Sequence, residues 1–288
     1  MTVRWFEQSL ADVPAFDDWL GSWELSHLGG LHIPKRRADW RLGRWTAKCA
    51  LSACLNLPPC VETFRSIQIR PAVSGAPEAF LNEAPAHVPI SLSHSGGVAA
   101  CAVTTSGTAL GCDLELVEPR TDAFVADYFT SPEQFLISKV PVADRFALIS
   151  LIWSAKESAL KALRTGLRID TRCVSVTVHD GVQGLGITGL QGTSPESCDA
   201  ASEPFRDWHT IEAKHAETGV LHGRWSYKYP FVRTLVCFPS QESIGIQESP
   251  LRRNSSTCDS NQMAFRQSVG SVQNLLARAV GLAHAKYS

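Results

Sequence analysis

The sequence predicts an α+β fold. Two strong helical stretches, residues 34–57 and 144–164, are each followed by a run of strands. The bulk composition over 288 residues, 44% hydrophobic and 19% charged, is that of a globular chain. Helix then strands in 34–117, and again in 144–238, make a coarse repeat. The expected organisation is an N-terminal half (1–107), a C-terminal half (108–239) and an extension (240–288).

The elements follow from local pattern. Pro34 suits a first helical position, Trp40, Ala47, Leu51 and Cys54 recur at helical spacing, and Pro58-Pro59 stops the helix. Residues 64–70 alternate as a strand does, and 71–87, rich in Pro, Ala and Gly, read as loop. Ile90 to Ser93 alternates, His94-Ser95-Gly96-Gly97 is a turn, Val98 to Thr104 is an apolar strand, and Leu110 to Val117 alternates again. Residues 122–130 and 132–139 have helical character, with Ser131 as N-cap before Pro132. Cys173 to Val178 reads as a strand and 191–204 as a polar loop. Trp208–Ala213, Gly223–Tyr229 and Arg233–Phe238 read as strands of one antiparallel sheet. Residues 240–262, rich in Ser, Gln, Asn and charge, are expected to be disordered, and 263–285 to form an amphipathic helix of unassigned function.

Bulk properties narrow the function. A net charge of -1 gives no global basic excess for nucleic acid, so anion binding must come from local clusters. No apolar run approaches the roughly 20 residues that span a bilayer. No signal peptide is visible at the start, and the nine cysteines include no Cys-x-x-Cys spacing. Reduced thiols in a cytoplasm are expected, with neither a disulfide framework nor a zinc site.

Four constellations carry chemistry. In Gly111-Cys112-Asp113-Leu114-Glu115, Asp113 and Glu115 share one strand face, about 7 Å apart, and together suit a hard cation. The same alternation also fits a half-buried strand with a solvated face. In the helix around Trp153, Glu157 and Lys161 lie on one side of the apolar arc, and Lys156 falls inside it. A surface ion pair and a snorkelling lysine are the plainer readings there. Arg37, Arg41, Arg44 and Lys48 form one stripe, which fits a phosphorylated ligand, a solvated face or a nucleic-acid patch. Ser93-His94-Ser95-Gly96-Gly97 could cradle a phosphate oxygen or be an ordinary polar turn.

In order along the chain, these motifs resemble the Sfp-type 4'-phosphopantetheinyl transferase family. That family carries Gly-x-Asp-x-Glu followed by Trp-x-x-Lys-Glu-x-x-x-Lys, here Gly111 to Glu115 and Trp153 to Lys161, with 37 residues between Glu115 and Trp153. Ser93-His94-Ser95 and the arginine-rich helix are similar too, and the resemblance covers about residues 1–240. It implies two similar α/β halves related by pseudo-two-fold symmetry, with the active site in the cleft between them. It implies transfer of the phosphopantetheine arm of coenzyme A to a serine of an apo acyl, polyketide or peptidyl carrier protein, dependent on Mg²⁺. Asp113, Glu115 and Glu157 would hold the metal, and Glu157 would help deprotonate the serine. Lys156 and Lys161 would neutralise the pyrophosphate. Ser93 and His94 would meet the 3′-phosphate, and Arg37, Arg41, Arg44 or Lys48 the phosphates of coenzyme A, the 3′-phosphate among them. A chain of this length would supply both sides of the cleft as a monomer, with no nucleic-acid or membrane partner. One departure stands out: where the family has Gly-Lys-Pro, this chain has Gly75-Ala76-Pro77, so a contact to coenzyme A is missing, and Arg70 or the basic helix is the expected substitute. The rival readings are a metal-dependent phosphohydrolase using the same carboxylates and a non-catalytic nucleic-acid-binding module.

Overall fold

The computed structural model describes residues 1–179, 208–239 and 243–248. Its strands and helices alternate twice. The first series is β1 (Thr2–Ser9), α1 (Ser22–Gly29), α2 (Pro34–Cys54), α3 (Val61–Ser66), β2 (Ile67–Pro71), β3 (Pro77–Leu81), β4 (Ala84–Pro85), β5 (Ile90–Ser95) and β6 (Val98–Val103). The second is β7 (Ala109–Leu116), α4 (Asp122–Tyr128), α5 (Ser131–Lys139), α6 (Val142–Ala162), β8 (Val174–Val178), β9 (His209–His215), β10 (Gly219–Lys228) and β11 (Phe231–Phe238). A last strand, β12 (Gly245–Glu248), follows.

The strands form sheets β12-β1-β6-β5, β7-β11-β10-β9-β8 and β2-β3-β4. The predicted antiparallel sheet of the C-terminal half is present, with β7 as one edge and β8 as the other. Each long helix covers its own half. α2 buries Ala47, Ala50 and Leu51 against Ile67, Ile69, Cys101 and Val103, and α6 buries Leu148, Ile152, Ala155 and Ala159 against Val174, Ile211 and Val236. A further core lies where the halves meet, with Val3, Trp5, Ala100 and Ala102 against Leu110, Cys112, Leu114 and Leu235. It sets β5 against β7, and that junction builds the site.

Four expectations need correction. The stretch 64–70 is the end of α3 followed by β2, because Phe64 packs on Trp45 rather than alternating in a sheet. The loop 71–87 contains β3 and β4, paired with β2 and with each other. The N-terminus, read without an element, is β1, whose Val3 and Trp5 are buried at alternate positions. Residues 245–248, inside the stretch expected to be disordered, form β12 parallel to β1. Ile244 and Ile246 explain it: they alternate and bury in the junction core, and a polar background hides them from a composition count. The polar loop 191–204 and the helix 263–285 lie outside the described residues. No helix among the described residues is long and apolar enough to cross a membrane.

Candidate active site

β7 sorts its side chains by alternation. Leu110, Cys112 and Leu114 enter the junction core, which leaves Asp113 and Glu115 on the face toward α6. Close approach of helix and strand is possible because position 111 has no side chain. A Cβ at Gly111 would stand 1.9 Å from the Ser158 carbonyl oxygen and 2.5 Å from the Ala162 nitrogen. The glycine of the first motif is therefore where the strand touches the helix of the second.

That contact gathers the charged groups. Lys161 Nζ lies 2.6 Å from Asp113 Oδ1 and 3.5 Å from Glu157 Oε2, and donates to the Cys112 carbonyl at 3.2 Å. Trp153 Nε1 donates to Glu115 Oε1 at 3.1 Å, and Arg120 reaches Glu115 Oε2 at 3.4 Å. From the N-terminal half, the Ser93 hydroxyl donates to Asp113 Oδ1 at 2.7 Å. Its neighbours tie the strand edges together: Ser91 Oγ accepts from the Cys112 amide at 2.9 Å and Ser95 Oγ from the Leu116 amide at 3.1 Å. Three alternate serines of β5 thus align it with β7.

The carboxylates disturb one another. Burial, with the charges of Asp113 and Glu157, pushes the Glu115 carboxyl up to about 7. Burial and then Asp113 raise Glu157 as well. Burial alone would lower the Lys161 ammonium, but Asp113 and Glu157 outweigh it and hold it above its usual range. Among the described residues no three His, Cys, Asp or Glu side chains are gathered as a ready-made metal cage. One atom is nonetheless unspent: Asp113 Oδ2 is buried and has no hydrogen-bond partner. A buried carboxylate oxygen without a donor, among hard oxygen groups that repel one another, fits a small divalent cation that completes its shell with water and substrate oxygen.

A cleft of about 780 Å³ opens beside this cluster. Its lips are residues 74–80 and 87–92 of the N-terminal half and 161–168 of the C-terminal half. Both halves of the single chain supply it.

The expected site residues divide. Asp113, Glu115, Glu157 and Lys161 stand together. Lys156 does not join them. It is fully buried, 2.9 Å from Glu133, and donates to the carbonyls of Thr171 and Val174 at 3.1 and 2.5 Å. The snorkelling reading of Lys156 does not hold, since its charge does not escape to water, and Lys156 does not line the cleft either. Lys48 is likewise fully buried, 2.6 Å from Glu24, and donates to the carbonyls of Phe64 and Ile67. The rest of the basic stripe is also spent internally. Arg37 and Arg41 clamp Asp17, and Arg41 also takes the Pro14 carbonyl at 2.6 Å. Arg44 lies over the Trp40 ring and 4.0 Å from Glu24. None of the four lines the cleft; the stripe pins the segment before α1 to α2. The Ser93 hydroxyl is committed to Asp113, and His94 is exposed outside the cleft lining. Arg70, the other expected substitute for the missing lysine, pairs with Glu83, lies over the Phe80 ring and is outside the cleft lining.

Sequence reading missed Glu24 and Glu133, the partners of the two buried lysines. Each sits three residues after a helix N-cap and bonds back to the cap amide, Gly21 or Thr130, at 3.1 and 2.7 Å. The spacing Thr130-x-x-Glu133 was the available signal. Arg164 and Arg168, in the cleft lining, were missed because they follow the second motif and belong to no pattern.

A comparison with curated proteins returned no match. Residues 109–209, 101 of the 288, match the family described as the 4'-phosphopantetheinyl transferase superfamily. The matched stretch begins at β7, contains α6 and so holds all four clustered charges together with Gly111 and Trp153. It supports transfer of phosphopantetheine as the general activity. Over residues 109–209, about a third of its length, this chain is similar to the 4'-phosphopantetheinyl transferase superfamily.

Proposed function

We propose that the protein transfers the 4'-phosphopantetheine group of coenzyme A to a serine of an apo carrier protein and releases adenosine 3′,5′-bisphosphate. The observation that carries this reading is the pairing of Lys161 with Asp113 and Glu157, with Glu115 within reach of their charges, beside a cleft of about 780 Å³ that Lys161 lines. The donor set suits Mg²⁺, with Asp113 Oδ2, Glu115 and Glu157 as the protein's ligands. When bound, the ion would neutralise pyrophosphate charge that this acidic cluster otherwise repels.

The chain's own groups then have separate tasks. Glu157, its carboxyl raised by burial and Asp113, takes the proton of the carrier serine as the hydroxyl oxygen bonds to the phosphorus bearing pantetheine. The pyrophosphate P–O bond breaks on the opposite side, and the pair of electrons leaves with the adenosine bisphosphate. Lys161 offsets that charge as a held ammonium, already oriented by Asp113. Trp153 fixes Glu115 through its indole N–H. Positioning and charge neutralisation carry most of such a reaction. Lys156 contributes through packing and not by touching substrate.

On the same reading the protein acts as a cytoplasmic monomer, since one chain builds both lips of the cleft and all seven described cysteines are free thiols. Mass spectrometry of apo acyl, polyketide and peptidyl carrier proteins after incubation with coenzyme A and Mg²⁺ tests the proposal. One phosphopantetheine gained on a serine is the expected result. Consumption of coenzyme A without any carrier would instead mean a hydrolase.

A further inference from the structure

The two oxygens of the Asp113 carboxylate are used unequally. Oδ1 accepts from two donors, the Lys161 ammonium at 2.6 Å and the Ser93 hydroxyl at 2.7 Å. Oδ2 is buried and accepts from none. Asp113 is 2% exposed, so the protein rather than bulk water sets the turn of this carboxylate. Rotation about the last bond of an aspartate is broad and roughly two-fold, and a fixed donor is needed to choose one setting. Lys161 is poorly suited to that task. Its ammonium ends a flexible stem and is shared with the Cys112 carbonyl at 3.2 Å and Glu157 at 3.5 Å.

Ser93 has what Lys161 lacks. Its hydroxyl is held close to the backbone of β5, and β5 is fixed against β7 on both sides of it. The two strands are edges of different sheets. They are joined by the Cys112 amide donating to Ser91 Oγ at 2.9 Å and the Leu116 amide donating to Ser95 Oγ at 3.1 Å. Ser93 stands midway between those two serines, with its side chain on the same face of the strand. A hydroxyl has one proton to give, and that of Ser93 goes to Asp113. Ser91 and Leu92 line the cleft, and Ser93 does not.

We propose that Ser93 is a positioning residue of the metal site: its hydroxyl, carried by the N-terminal half, sets the Asp113 carboxylate so that Oδ1 meets Lys161 and Oδ2 is left for the cation. The inference rests on the Mg²⁺ assignment of the transferase reading above, and it replaces the contact to the 3′-phosphate expected for Ser93 from sequence. Isothermal titration of the EDTA-treated full chain with Mg²⁺ tests it. Ser93→Ala is expected to weaken Mg²⁺ binding by about tenfold or more, as loss of a group behind a metal ligand does. Ser93→Thr, which keeps a hydroxyl and suits a strand, should restore binding to within about threefold of the unaltered protein. In saturating Mg²⁺, the preference for coenzyme A over 3′-dephospho-coenzyme A should change by less than about twofold in Ser93→Ala, because the hydroxyl serves no phosphate. A Mg²⁺ titration unmoved by Ser93→Ala, with only the melting temperature in EDTA lowered, would make Ser93 merely structural and overturn the proposal. So would equal weakening in the alanine and threonine variants, or loss of the preference for coenzyme A. Failure of the transferase reading looks different: the unaltered protein then takes up no Mg²⁺, and the inference falls with it.

Discussion

Glu115 is largely buried within reach of the Asp113 and Glu157 charges, and its chemistry is set by that crowding. Its carboxyl titrates near 7 in the folded chain, against an ordinary 4.5. Between those values the native state keeps a proton that the unfolded chain has lost. This group's contribution to stability therefore falls as pH rises through that window, by about 3 kcal/mol at most. Glu157, shifted in the same direction, adds to the effect. A divalent cation held there, as proposed, would remove the repulsion. The rise in melting temperature on adding Mg²⁺ should be clearly larger at about pH 8 than at about pH 5. A rise of equal size at both pH values would contradict the metal assignment. At this scale the sequence was informative. Asp113, Glu115, Glu157 and Lys161 were legible from strand alternation, helix angle and the resemblance. Gly111 became intelligible only with α6 in place, because a glycine in a strand does not say what approaches it. Lys156, next to Glu157 in the same motif, was misread because its partner lies on another helix.

The same local device is built on both long helices. Lys48 and Lys156 are each the fifteenth residue of a 21-residue helix. Each ammonium binds a glutamate at the third position of a short preceding helix, and each glutamate also accepts a strand amide, Ile69 for Glu24 and Val176 for Glu133, at 3.0 and 2.8 Å. The lysine ties a short helix and a strand to the long helix, and so fixes the rotation of α6 that presents Glu157 and Lys161 to Asp113. Lys156→Met leaves Glu133 buried and unpaired and should cost about 3–5 kcal/mol, and adding Glu133→Gln should return part of it. Thermal or denaturant unfolding checks this. An unchanged melting temperature with a raised KM for coenzyme A would instead make Lys156 a substrate contact. Elements of this kind are half legible. The long helices α2 and α6 appear in the periodicity, while the ties depend on residues more than 20 positions apart, which no window of local pattern contains.

At the scale of the whole molecule, the two halves are one structure because their sheets share a core and ion pairs. Arg233 of β11 grips Glu7 of β1 with two bonds, at 2.5 and 2.8 Å, and β12 returns to pair with β1 after the second sheet is complete. Ile246, 1% exposed, locks that return. Ile246→Ala should destabilise the protein by about 2–4 kcal/mol, whereas a disordered segment would tolerate it without loss. The N-terminal strand, β12 and the cleft were the least legible features, since all three arise from long-range pairing. The central claim concerns what the junction does. It is tested most directly by the rate of phosphopantetheine transfer to a carrier serine, in saturating Mg²⁺ and coenzyme A, by the protein and its Glu157→Gln variant. The account predicts transfer by the first and a loss of about 10²-fold or more in the second, with melting temperature retained. Transfer by Glu157→Gln within about twofold of the unaltered protein would contradict it.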